Sequence, residues 1–246
     1  MRKLALAAAL AALLLAACGG TGGDQPTGQA RLWITKDRGA QVLLTAVVPA
    51  GQTVLRALDA RAEVKTRYGG RFVQAIDGVA GSLSDQRDWF YFVNGLEPDV
   101  GAAQVTLHPG DVAWWDYRSW ADGGDRAPAV VGAFPEPFRH GWDGKHRPVV
   151  VDAPASLRAE AAALRTLLSR PGGTGEPNRF VLQVRPGTAG AVLAATRGDA
   201  TESPVTFTLT GSLAAVRAAA RALLADPSTV ARRYVARFDD HGEMLR

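Results

Sequence analysis

Phe72-Val73-Gln74-Ala75-Ile76-Asp77-Gly78-Val79, Trp89-Phe90-Tyr91-Phe92-Val93-Asn94-Gly95 and Leu107-His108-Pro109-Gly110-Asp111-Val112-Ala113-Trp114-Trp115-Asp116-Tyr117 decide how this chain is read. Each holds a run of β-branched and aromatic residues next to turn chemistry, which predicts three strands. Asn94-Gly95 follows the second run directly, and that pair accepts the positive φ angles of a tight hairpin turn. Pro109-Gly110-Asp111 precedes the third, where the Asp111 carboxylate can bond nearby backbone amides. Side chains alternate along a strand, so Phe90 and Phe92 share one face while Trp89, Tyr91 and Val93 share the other. By the same rule Trp114 and Asp116 oppose Trp115 and Tyr117. A small domain needs one such face for its core, so some aromatic surface is expected to be left over. Trp89, Phe90, Tyr91, Trp114 and Trp115 are thus candidates for an apolar, ligand-facing surface, with Asn94 and Gly95 holding a loop beside it.

Upstream, Arg31 to Lys36 and Gln41 to Val48 read as strands separated by a turn at Asp37-Arg38-Gly39-Ala40. Thr53 is placed to cap a short helix whose Val54, Leu55, Leu58 and Ala62 fall on one face. Downstream, residues 121–147 form a Gly- and Pro-rich connector with little periodicity. From residue 148 the pattern becomes α/β and repeats at a spacing of 56, VVVDAPASLRAEAAALRTLLSRP from Val149 against VTFTLTGSLAAVRAAARALLADP from Val205. Each copy reads as a strand, a Ser cap (Ser156, Ser212) and an amphipathic helix ended near a proline. Alanine-rich helices also resemble one another through composition alone. Further strands are expected at Arg179 to Val184, Ala191 to Thr196 and Arg233 to Phe238. The class is therefore α+β, with a small α/β domain of two strand–helix–strand units, expected to be ferredoxin-like, over residues 148–246.

The ordered motifs between residues 30 and 120 resemble the C-terminal β-domain of transcobalamin and intrinsic factor, a domain also found in many bacterial surface lipoproteins of unassigned function. The resemblance implies a β-grasp fold for residues 30–120. It implies cobalamin or a related corrinoid as ligand, covered on one face, with Trp89, Phe90 and Tyr91 matching the family's aromatic strand. The cobalamin carriers of that family close the opposite face with an α/α-barrel domain. No such helical repeat is legible here, so a second protein, such as a transporter subunit, is expected to supply it. The competing expectation is a cell-envelope protein-interaction module with no small-molecule ligand.

At the amino terminus, Met1-Arg2-Lys3 precedes an uncharged Leu/Ala run from Leu4 to Ala17, the form of a secretory signal. Leu15-Ala16-Ala17-Cys18-Gly19 matches the bacterial lipobox, which implies cleavage after residue 17 and acylation of Cys18, the chain's single cysteine. Residues 18–29 then read as a lipid-anchored, Gly-rich tether, and the protein is expected outside the cytoplasm, held to the membrane by its lipid.

Composition argues against several functions. The net charge is +4, and loss of Arg2 and Lys3 would leave about +2, too little to argue for a nucleic-acid partner. No G-x-S-x-G elbow or phosphate-loop signature occurs, and Cys18 is committed to lipid, so no catalytic residue is assigned. His140, Asp143 and His146 share one segment, but no further ligand cluster completes a metal shell. His108 reads as a solvated turn residue and His241 as part of a frayed tail.

Overall fold

The structure, a computed structural model, describes residues 28–70, 72–121, 127–169, 179–198 and 204–245. The signal segment and Cys18 lie outside these residues, as does nearly all of the tether. The chain is α+β, built mostly of strands in open sheets with few helices.

Strands β1 (Gln29–Lys36) and β2 (Gln41–Pro49) pair antiparallel. Helix α1 (Val54–Asp59) follows, and the Thr53 hydroxyl accepts from the Arg56 amide at 3.2 Å, the capping bond read from the sequence. Strands β3 (Val64–Arg67), β4 (Phe72–Ile76) and β5 (Val79–Ala80) form a separate small sheet. Strands β6 (Arg87–Val93) and β7 (Val112–Ser119) complete a four-stranded sheet in the order β2-β1-β7-β6, with β1 and β7 parallel at its centre.

Strand β2 is an edge with no charged residue, a composition that invites pairing with other chains. The amides of Arg31 and Asp37 bond toward β7, to Asp111 and Tyr117, so odd-numbered residues of β1 face away from β2. With Arg31 opposite Val47, the polar groups of Thr45 and Val47 point outward. The Val47 carbonyl accepts from Arg61 at 2.9 Å and the Pro49 carbonyl from Gln52 at 2.8 Å, which occupies two carbonyls at the end of that edge.

The C-terminal part runs β8 (Val149–Asp152), α2 (Arg158–Leu168), β9 (Phe180–Pro186), β10 (Ala191–Arg197), β11 (Val205–Gly211), α3 (Leu213–Ala225), β12 (Ala236–Phe238) and β13 (Met244–Leu245). Its sheet order is β13-β12-β10-β11-β9-β8. This corrects the ferredoxin-like expectation: β8 and β9, joined through α2, are direct parallel neighbours, with no strand inserted between them. The two helix starts also differ. Ser212 accepts from the Ala215 amide, whereas Ser156 sits in a 3-10 turn and Leu157 occupies the cap without a side-chain bond.

The largest departure from expectation is the connector. Its short 3-10 turn (Val131–Ala133) and flanking residues are buried and divide between two cores. Val130 and Ala133 pack with Trp33, Phe92 and Trp114 on one face of the four-stranded sheet. Val131, Phe134 and Phe138 join the C-terminal core with Phe180 and Phe207. The opposite face of the four-stranded sheet packs Leu32, Ile34, Trp89 and Trp115 against α1. Both faces of the aromatic strands are therefore covered, and each large ring buried this way contributes about 1.5–3 kcal/mol.

Candidate functional site

The expectation of an open aromatic surface on β6 and β7 is corrected by this packing. Trp89, Trp114 and Trp115 are 5%, 1% and 2% exposed. The Trp89 indole donates to the Val79 carbonyl at 2.8 Å, and the Trp114 indole to the Thr35 hydroxyl at 2.7 Å. Tyr91 is half-buried and stacks on Trp115 with centroids 5.0 Å apart. Phe90, also half-buried, lies under the Arg118 guanidinium, 3.7 Å from its ring centre. Asn94 is fully buried: its amide donates to Asp111 at 2.7 Å and to the Gly141 carbonyl at 3.0 Å, while its oxygen accepts from the Val112 amide. Gly95 (φ +79°) lies so close to the connector that a Cβ would stand 2.5 Å from the Val130 carbonyl oxygen. These two residues fasten the connector to the sheet.

Two buried polar clusters mark that seam. In the first, Asp116 accepts from the Thr35 hydroxyl at 2.6 Å, the Arg38 and Gly39 amides, and the Tyr234 hydroxyl at 3.0 Å. Burial, and then the facing Asp116 carboxylate, push the Tyr234 hydroxyl far above the ordinary tyrosine range. In the second, Asp111 takes the His108 amide and the Asn94 side chain, and its burial raises the carboxyl. His108 is only partly solvated, its side chain 30% exposed, since its ring packs on Gly144 while the His140 ring packs on Gly110. Each imidazole thus covers a glycine of the other segment. His140 Nδ1 stands 2.7 Å from Glu136 Oε2, at ion-pair distance but off the hydrogen-bond axis. Among the described residues, no group of three or more His, Cys, Asp or Glu is arranged to hold a metal ion.

Exposed apolar side chains gather elsewhere. A groove of about 400 Å³ opens between the β3–β4 turn and the segment leading into β6. Tyr68 (78% exposed), Phe72 and Leu83 (84% exposed) stand on it with the half-buried Trp120, and Arg67 and Arg87 add positive charge. Arg87 pairs with Asp37 and lies over the Tyr117 ring at 5.0 Å. Asp88 also lines the groove. Its Oδ1 accepts from the Trp89 amide at 2.8 Å, and burial raises its carboxyl against that bond. Gly81 makes room for it, since a Cβ there would stand 2.4 Å from Asp88 Oδ1. Sequence reasoning missed this groove because its residues come from turns and strand ends without shared periodicity. The one signal was the pair Tyr68 and Leu83, large apolar residues inside otherwise polar turns.

Residues 51–119 match the family described as Domain of unknown function (DUF4430). No curated protein matches. Among solved structures, a Ruminococcus gnavus ATCC 29149 protein to which metal binding is ascribed is 15% identical, covering 37% of this chain and 97% of its own, with a TM-score of 0.32. Haptocorrin in complex with Cbi is 14% identical, covering 38% of this chain and 25% of its own, also with a TM-score of 0.32.

Proposed function

We propose that this chain is an extracytoplasmic lipoprotein, anchored through Cys18, that captures a flat, largely apolar small molecule in the Tyr68–Leu83–Trp120 groove. Cobalamin or a related corrinoid is the first candidate. The β2-β1-β7-β6 order with parallel central strands supports a β-grasp reading of the N-terminal half. The observation that carries the ligand reading is the convergence of three exposed apolar side chains on one groove, since such clusters mark interaction sites. Its volume lies within the range of small-molecule sites. Being open, it would hold one side of a macrocycle and leave the other to a partner such as a transporter subunit. The role is capture rather than catalysis. The alternative, an envelope protein-interaction module, finds its best surface at β2, where the Arg61 and Gln52 bonds count against strand addition.

The test is a visible-absorption titration of the full-length chain in detergent with dicyanocobinamide. A shifted spectrum is expected, lost when Tyr68→Ala and Trp120→Ala are combined. Silence in both spectra and calorimetry at millimolar ligand would refute the corrinoid reading. The anchor is tested separately: Cys18→Ser should move the protein out of the membrane fraction, and its retention there would disprove acylation at that position.

A further inference from the structure

We infer that Asp88 sets the groove's specificity by accepting a hydrogen bond from a neutral donor on the ligand, a carboxamide N–H. This rests on the groove being the ligand site.

Asp88 has one oxygen occupied by the Trp89 amide, and its Oδ2 has no hydrogen-bond partner among the described residues. The carboxylate is partly desolvated, and no basic neighbour offsets that cost. Its Oδ2 stays open to the groove, so the acceptor site that the fold leaves without a protein donor faces the space a ligand would fill. Gly81 keeps the space open on this side, because any side chain there would drive into the carboxylate.

The rest of the lining narrows the donor's chemistry. Arg67 brings a guanidinium to the same groove, and Arg87 a second whose charge is shared with Asp37, so the lining as a whole does not select an ammonium ligand. Asp88 itself disfavours a carboxylate or phosphate. A carboxamide is neutral, gives its N–H to Asp88, and offers its carbonyl to a guanidinium such as Arg67. The aromatic walls at Tyr68 and Trp120 would hold the flat body to which that amide is attached.

The experiment compares two dicyano corrinoids on the full-length wild-type chain, cobinamide with its peripheral carboxamides and the cobyrinic heptamethyl ester, which accepts but donates nothing. Cobinamide should bind roughly 10- to 100-fold more tightly, the range of one charge-assisted hydrogen bond. Asp88→Asn, which keeps the acceptor for the Trp89 amide, should bring the two affinities together by weakening cobinamide alone. Equal affinity of the wild type for amide and ester would overturn the role of Asp88 and leave the groove standing as the site. Binding of neither would overturn both the inference and the reading beneath it. The wild-type comparison decides between these outcomes even if the variant fails to fold.

Discussion

The Tyr234 hydroxyl donates to Asp116 Oδ2 at 3.0 Å, joining residues 118 positions apart and tying the C-terminal half to the last strand of the N-terminal sheet. The same ring meets Phe92 and Trp114 edge-on at 5.4 and 5.3 Å. Tyr234→Phe keeps those ring contacts and removes the bond to a buried carboxylate. A loss of about 1.5–3 kcal/mol is expected in urea unfolding. An unchanged midpoint and slope would show that Asp116 is satisfied by Thr35 and the two amides alone.

Trp114→Ala and Trp89→Ala should cost about 3–5 kcal/mol each, the range for deleting a large buried ring. Tyr68→Ala, in contrast, should leave stability within about 0.5 kcal/mol of wild type. Thermal unfolding of the three variants separates core from groove. A stable Trp114→Ala protein would contradict the covered-sheet description.

Asp111 carries a pH dependence of known sign. Burial raises its carboxyl, opposed by the bonds from His108 and Asn94. A folded-state pKa above the unfolded value near about 3.9 means the folded form holds the proton more tightly. Its contribution therefore favours the fold below that unfolded value and is lost as pH rises through the folded one. Asp111→Asn stays neutral throughout. Its stability relative to wild type should climb from about pH 4 upward and then level off, on top of a constant offset for one lost bond. Urea midpoints that run parallel across this interval would show no such contribution.

Gly110 has φ +89°, and a Cβ there would stand 2.3 Å from His140 Nε2. Gly110→Ala should lose about 1–3 kcal/mol through backbone strain and the clash together. Adding His140→Ala removes the clash and should return part of the loss, so that the two effects do not sum. Strict additivity of the unfolding free energies would mean that the imidazole is free to step aside.

Local signals read well where a single element settles them. The alternation along Trp89–Val93, the Thr53 cap, the Ser212 cap and the extra strand at Ala191–Arg197 all follow from spacing and hydrogen-bonding chemistry. What failed depends on distant segments. Nothing in Val130, Val131, Ala133, Phe134 and Phe138 shows period 2 or 3.6, yet they fill the space between two cores because irregular backbone can send neighbouring side chains opposite ways. That hidden layer covers the Phe92 and Trp114 face, where the sequence led us to expect leftover aromatic surface. His108 looked solvated because its cover, Gly144, lies 36 positions away. His241 looked frayed, but its amide bonds Asp239 within the turn joining β12 and β13. Trp142, inside the same irregular stretch, packs against both the C-terminal core and the α1 side of the N-terminal sheet.

The doubly covered sheet constrains anyone who would trim this molecule. The stretch matched by the family stops at residue 119, but the lid over Trp33, Phe92 and Trp114 arrives only with Val130, Ala133 and Tyr234. A gene cut at the family boundary would encode a module with a raw, greasy back, prone to clump in a test tube. Its neighbour is part of its upholstery.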